Sequence, residues 1–548
     1  MKSLNTVVAG LAGIAAVAQA QSGGLRPPPT YGWNYSPIDK DNDAVSQAYE
    51  DVNVELRSPA FLRPETIPTE TFANGTSGPT NETVLDDFLR DIASRHDWFN
   101  YQIADFKSEQ GRPLFQIFLS NPSAKPENST KLRVWLQAAI HGNEPAADQG
   151  AMALLGKMDG NATWTASLLE KMDIFIMPRI NPDGVHYFQR EYASNIDPNR
   201  EHTKLITQQA RDIKQQYTAY DAHISIDMHE FAGHNLFSGR YRHGLDAMIG
   251  GGKNLNIHPL IRNLSENTFV ANMGRLLESR GMRWGPYVLG DTSDFEGTPI
   301  LFEELSTMPA SSTNNYGMTQ TISILTEVRG QWLADQHFQR RTAASLTMVE
   351  AILSTARDNS ELVLDTLAAA AEAYIDSDDP IVLSDSQPGS NRTFTMVDVR
   401  NGSVVEVPVE FRTSTPAVAN LTRSRPEAYL IPRNWAAVAD RLRILGVEVE
   451  ELKYEFRGDV EAYNITSSTL DDEITEGIVR NTVTTEPDVK RDLWLPAGSW
   501  RVSSRQRKAA LAFITLEPEG WASFTSFGVL PVGAGYEYPI FREARRTE

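Results

Sequence analysis

The chain has 548 residues, a formal charge of -20 at pH 7 and no cysteine. Its length exceeds one ordinary domain, and its apolar content allows a sizeable core. The acidity argues against nucleic acid and an anionic membrane surface, both of which are bound through Lys and Arg. The lack of cysteine excludes disulfides, thiolate metal ligands and a thiol nucleophile.

The first twenty residues read as a signal peptide. Lys2 supplies a small positive region, Val7 to Val17 a short apolar stretch, and Ala18-Gln19-Ala20 a small-x-small cleavage site, so the mature chain is expected to begin near Gln21. The stretch is too short to span a bilayer. Asn34, Asn74, Asn81, Asn128, Asn161, Asn263, Asn391, Asn401, Asn420 and Asn464 each stand in N-x-[ST]. Together these features predict a secreted, extracellular glycoprotein with no membrane span.

Residues 21–80 are rich in Pro, Ser, Thr, Asn and Gly and read as an extended arm without a core of its own. Helical spacing covers Val84 to Ser94. Strand-like runs follow at Gln102 to Phe106 and Leu114 to Leu119, around a turn at Glu109 to Pro113. Leu132 to Ile140 is a strong strand, and Pro145 opens a helix to about Met158. Asp173 to Met177 is a further strand, closed by the turn quartet Asn181-Pro182-Asp183-Gly184. Lys204 to Ala219 is helical; Ile224 to Met228 and Thr321 to Thr326 are strands; Trp332 to Tyr374 is largely helical.

Alternating strands and helices predict an α/β fold with a mixed, mostly parallel sheet flanked by helices, over residues 81–375. From 380 to 548 the pattern changes to short β-like runs, Thr393 to Val399, Val404 to Phe411, Val447 to Phe456 and Ala509 to Thr515, with a helix at Trp435 to Leu445. This predicts a separate C-terminal β-rich or α+β domain.

Residues able to bind a metal fall at or just after strand ends, where open α/β sheets hold ligands. His141 and Glu144 sit three residues apart around Gly142, so one tight turn can aim both at one ion. His229 ends the run Ile224 to Met228, with His223 and His234 as competitors and Asp227 or Glu230 able to fix its tautomer. Two His and one Glu leave an open position on a catalytic zinc. Glu327, at the end of another apolar run, suits general base work on a metal's water, or else a salt bridge with Arg329. Asn199-Arg200, with Arg190 upstream, offers guanidinium groups for a carboxylate.

Five segments in order resemble the zinc carboxypeptidases of the carboxypeptidase A-like (M14) class. They are His141-Gly142-Asn143-Glu144, Arg179-Ile180-Asn181-Pro182-Asp183-Gly184, Asp197-Pro198-Asn199-Arg200, Asp227-Met228-His229 and Leu325-Thr326-Glu327-Val328-Arg329. The resemblance covers about residues 80 to 350. It implies one zinc per chain on His141, Glu144 and His229, with Glu327 as general base and then proton donor. It implies that Asn199 and Arg200 hold the terminal carboxylate, that Arg190 polarises the scissile carbonyl, and that Tyr316 is the family's mobile substrate tyrosine. The implied substrates are peptides or proteins with a free C-terminus. Two alternatives stay open at this level: a zinc amidase or deacylase of N-acyl amino acids, and a non-catalytic secreted binding protein on the same fold. The stretch Ser306 to Thr321 carries no charge, which disfavours a pocket for a charged terminal side chain.

Overall fold

A computed structural model describes residues 38–122, 131–486 and 489–544. The expected signal peptide, the start of the arm, and Asn34 and Asn128 lie outside these residues. In chain order the first strands are β1 (Phe99–Lys107), β2 (Pro113–Leu119), β3 (Leu132–Ala138), β4 (Met172–Met177), β5 (Ile224–Ala232) and β6 (Tyr241–His243). They are followed by β7 (Ala247–Gly251), β8 (Trp284–Pro286), β9 (Val288–Gly290), β10 (Leu301–Glu304) and β11 (Ile322–Gln331).

Among the described residues, eight strands form one sheet in the order β1-β2-β4-β3-β5-β11-β7-β8. The central strands β4, β3, β5 and β11 are parallel, and β1, β2 and β7 pair antiparallel. The sheet is therefore mixed and mostly parallel, with helices on its faces, as the alternation predicts. β11 is buried along its whole length and β5 at all but its last residue, which explains why both read as near-continuous apolar runs. The helix Pro145–Gly160 starts on a proline whose missing N–H costs nothing at that position. It packs against the long helix Phe338–Asp358.

The chain after 380 continues into further sheets. β12 (Ile381–Ser386) pairs with β15 (Val418–Arg423), while β13 (Gly389–Asp398) and β14 (Val404–Arg412) join β6, β10 and β9 in a five-stranded sheet. Phe394, Met396 and Phe411 share an apolar cluster there with Phe237, Met248, Phe302 and Leu325. Beyond these come β16 (Ala428–Ile431), β17 (Glu450–Glu451), β18 (Phe456–Ala462), β19 (Ile465–Leu470), β20 (Asn481–Thr485), β21 (Val489–Leu495), β22 (Trp500–Ser503) and β23 (Phe541–Glu543). Six of them form a sheet, and β19 pairs with β20 alone.

Several local expectations are corrected. Ala509 to Thr515 is a helix, Ala509–Leu516, buried on all sides; a short apolar run with no polar face has no period to separate helix from strand. Val447 to Phe456 contains only the two-residue β17 before β18 begins. The Asn181 to Gly184 quartet opens a short helix, Pro182–Tyr187, with Asn181 accepting from the Gly184 amide. The stretch between His229 and Thr321, where the sequence suggested no elements, supplies β6 to β10.

The described part of the arm has short helices and lies against the body. Asp41 is buried and anchors it: Arg329 Nη1 and Nη2 donate to its two oxygens at 2.6 and 2.8 Å, and Arg242 Nη1 adds a contact at 3.0 Å. Burial pushes the Asp41 carboxyl up, but Arg329, His337 and Arg242 outweigh it and hold the group far below the usual carboxylate range. The sign follows: this stabilisation is fully present above the unfolded value of about 3.9 and is lost as pH falls below it. Asp41→Asn leaves Arg329 buried without its counter-charge and is expected to cost about 3–5 kcal/mol at neutral pH. Urea midpoints against pH check this. The variant should also lose part of the acid limb; a midpoint equal to the parent's at neutral pH would contradict the assignment.

Candidate metal centre and active site

β3, β5 and β11 lie side by side: the His141 to Glu144 segment follows the end of β3, while His229 and Glu327 sit within the later halves of β5 and β11, short of the strand ends that the sequence suggested. After β3 the chain turns through Ala139, at φ +49°, into His141, Gly142 and Glu144. A Cβ on Gly142 would lie 1.9 Å from the Gly184 carbonyl carbon, so only glycine lets this turn rest on the Pro182–Tyr187 helix. Asn181 fastens the same place: its Nδ2 donates to the carbonyls of Ile140 (3.1 Å) and Glu191 (3.1 Å). The loop bearing His141 and the segment beside Arg190 are thereby tied together.

His141, Glu144 and His229 converge, with one donor atom from each within 4.8 Å of the others, all buried. His141 Nδ1 lies 2.7 Å from Glu144 Oε1, His229 Nδ1 lies 3.1 Å from Glu144 Oε2, and the two Nδ1 atoms are 3.2 Å apart. The outward nitrogens meet carboxylates, His141 Nε2 with Asp197 Oδ1 at 3.2 Å and His229 Nε2 with Asp227 Oδ2 at 2.9 Å. Imidazoles that turn one nitrogen to a shared centre and the other to a carboxylate are oriented as zinc ligands are. The donor set fits zinc. His223 and His234 are elsewhere: His223 accepts from the Arg133 amide, and His234 packs on Trp332.

Glu144 also accepts from Gln331 Nε2 (3.1 Å) and the Glu230 amide (3.0 Å). Burial raises its pKa, yet the charge and hydrogen bonds of His141 and His229 outweigh that and keep it below the ordinary carboxylate range. Glu230, behind it, pairs with Arg341 at 2.5 Å and accepts from the Ala146 amide at the helix start. Burial carries its pKa up to about 7 against the pull of Arg341.

Glu327 stands across from His229 in the parallel register of β11 and β5. The salt bridge with Arg329 that the sequence allowed is not formed, because Arg329 is committed to Asp41. Glu327 Oε2 is buried without a hydrogen-bond partner. Burial, reinforced by Glu144 and Asp227, pushes the carboxyl well above its ordinary value despite His229 and Arg190. A cation on the three ligands would act in the opposite direction.

Arg190 is brought to the cluster. Its Nε and Nη2 donate to Asp197 Oδ2 at 3.1 and 2.8 Å, and Nη1 lies 3.1 Å from His141 Nδ1. Asn199 and Arg200 line the same cavity. Asn199 Oδ1 accepts from the Ser312 amide at 2.8 Å, and Arg200 Nη1 donates to the Asn199 carbonyl at 2.9 Å. Tyr316 is not brought there. It is 1% exposed, stacked on Tyr217 at 3.8 Å between ring centres, with its hydroxyl donating to Gln137. The tyrosine that does line the cavity is Tyr287, joined by Leu289, Leu305, Met308 and Leu325.

Sequence reasoning missed Asp197 as the residue that joins Arg190 to His141. Its position directly before the Pro-Asn-Arg turn was a usable signal, since Asp there caps the turn, accepting from the Asn199 amide at 2.7 Å. Tyr287 and Leu289 carried no signal.

The family profile described as zinc carboxypeptidase matches residues 85–240. "Carboxypeptidase 2" of Trichophyton tonsurans is 46% identical over 518 residues, 93% of this chain and 95% of that protein. "Carboxypeptidase 2" of Trichophyton rubrum is 45% identical over the same shares. The crystal structure of a metallo-carboxypeptidase from Burkholderia cenocepacia is 17% identical, with TM-score 0.39, over 50% of this chain and 69% of that one.

Removing the carboxylate behind a ligand should weaken metal binding without removing a ligand. Asp227→Asn is expected to lower zinc affinity about 10- to 100-fold, measured by competition with a chromophoric chelator. Affinity equal to the parent's would show that Asp227 does not orient His229.

Proposed function

This chain belongs to the zinc carboxypeptidase family and is a zinc-dependent peptide hydrolase; from that premise we propose that the cluster releases the last residue of peptides or proteins ending in a free carboxylate. The observation that carries the residue assignment is the shared cavity: three ligands, a partnerless carboxylate oxygen and two arginines line one space.

His141, Glu144 and His229 would hold the zinc. When bound, the ion supplies a Lewis acid and lowers the pKa of water from roughly 15.7 towards about 7. Glu327 accepts a proton at Oε2 from the attacking water and returns it to the leaving amine, so one water is added and an acid and an amine are released. Arg190, fixed from behind by Asp197, donates to the carbonyl oxygen as it gains charge. Arg200 pairs with the terminal carboxylate, with Asn199 beside it. The terminal side chain lies against Leu305, Met308, Leu325 and Tyr287, which favours apolar over charged residues.

We assign catalysis to residues 81–375 and a supporting role to the region from 380; every side chain assigned above falls in the first part. We also propose that the protein is secreted and glycosylated. All eight sequon asparagines within the described residues are at least partly exposed, and no described helix is long and apolar enough to cross a membrane. Treatment of the native protein with an N-glycosidase should reduce its mass, and an unchanged mass would refute the glycosylation.

Mass spectrometry of peptides offered as free acid and as C-terminal amide tests the reaction. Chelator-sensitive ladders should arise from free acids alone, fastest from apolar ends; cleavage of N-acyl amino acids but no peptide would transfer the site to deacylation. Glu327→Gln should lower kcat about 10²- to 10⁴-fold with zinc content unchanged. Arg200→Ala should lower kcat/KM on free acids about 10²-fold, the loss of a charge-assisted pair worth roughly 2–3 kcal/mol.

A further inference from the structure

The C-terminal region meets the turn that carries Asp197, Asn199 and Arg200 through a hairpin. β19 and β20 are joined by residues 471–480, and this connection narrows to a two-residue turn. The Thr475 amide donates to the Ile478 carbonyl at 2.8 Å and the Ile478 amide to the Thr475 carbonyl at 3.2 Å. Between them Glu476 has φ +52° and Gly477 φ +78°. Positive φ at both central residues is the hairpin turn that usually takes Asn-Gly or Asp-Gly. Glutamate rarely adopts this conformation, so contacts around it must hold it there.

Those contacts lie on the segment that carries Asn199 and Arg200. Glu476 Oε2 accepts from the Asp197 amide at 2.6 Å, and the Glu476 carbonyl accepts from Lys204 Nζ at 2.6 Å. Lys204 is itself buried and paired with Glu201 at 3.0 Å. A Cβ on Gly477 would sit 3.0 Å from Ile196 and 3.3 Å from Ile206, so the turn is pressed against both ends of the same segment. Asp197 is thus held from two sides. Its carboxylate faces Arg190, His141 and the Asn199 amide, and its own amide is capped from the C-terminal region.

We infer that Glu476 is a positioning residue for the Asp197–Arg200 turn, which makes the C-terminal region a working part of the carboxylate-binding site. The inference rests on the reading of Arg200 given above. Without the Glu476 oxygen, a buried amide loses its acceptor and the turn its outer support, while the Asp197 carboxylate keeps Arg190 and the Asn199 amide. The effect should therefore fall on binding of the terminal carboxylate more than on turnover.

The test is steady-state kinetics of the full, zinc-loaded chain on a peptide with a free C-terminus. Glu476→Ala and Glu476→Asp, the latter keeping the charge but shortening the reach, should raise KM about tenfold with kcat changed less than about threefold. Glu476→Gln retains an oxygen for the Asp197 amide and should stay within about twofold of the parent. In an Arg200→Ala background, Glu476→Asp should add nothing further to KM. If Arg200→Ala raises KM and Glu476→Asp does not, the role of Glu476 is overturned while the carboxylate site stands. If Arg200→Ala itself leaves KM unchanged, the carboxylate site fails and this inference with it. Equal losses in the Gln and Ala variants, or failure of all three to fold, would make Glu476 a structural residue only.

Discussion

Parallel pairing of β5 with β11 sets Glu327 across from His229 and Leu325 across from Asp227. Side chains two apart on a strand share a face, so Asp227 and His229 project together, as do Leu325 and Glu327. One register therefore places a proposed metal ligand, the carboxylate beside it, the proposed general base and a wall of the cavity on the same side of the sheet. A slip of one residue would send Glu327 to the opposite face. The buried runs Ile224 to Met228 and Ile322 to Thr326 resist that slip, because both faces of these strands are packed. The precision of the site is a by-product of core packing in two strands.

Around that register the protein concentrates charge where water is absent. Glu144, Asp197, Asp227 and Glu327 are all buried within one small volume. Buried carboxylates are tolerated when they are paired. Glu144 has two imidazoles, an amide and Gln331; Asp227 has His229 and Ser312; Asp197 has Arg190, His141 and the Asn199 amide. Asp227 and Glu327 each keep one buried oxygen without a hydrogen-bond partner, and of the two it is Glu327 that lines the cavity. An unsatisfied buried oxygen in a native structure needs a reason, and accepting a proton from the attacking water, as proposed, supplies one for Glu327.

Two distant segments support the site by the same device. Asp41 of the N-terminal arm grips Arg329, two residues past Glu327, and Glu476 of the C-terminal region grips the amide of Asp197. Each is an acidic side chain that satisfies a buried donor on the strand or turn bearing a functional group. The region past 380 is therefore joined to the zinc site, in addition to sharing a sheet with β6, β9 and β10.

The proposed ligands and general base were legible in the sequence because each lies in a short motif beside an apolar run, while Arg200 stood out by its turn and Arg190 by its nearness to it. The main strands and helices were legible for the same reason, through their periodicity. Tyr316 could not be sorted from Tyr287 by sequence, since which tyrosine lines a cavity depends on how the chain passes from β8 in the main sheet to β9 in the neighbouring one. The helix Ala509–Leu516 was misread because a fully buried run has no polar face to reveal its period. Asp41 and Glu476 were invisible: their partners lie 288 and 279 positions away. The sequence by itself pointed to the residues proposed to do the chemistry. Only the tertiary structure decided what holds them, because a hydrogen bond between remote segments leaves no pattern in either one.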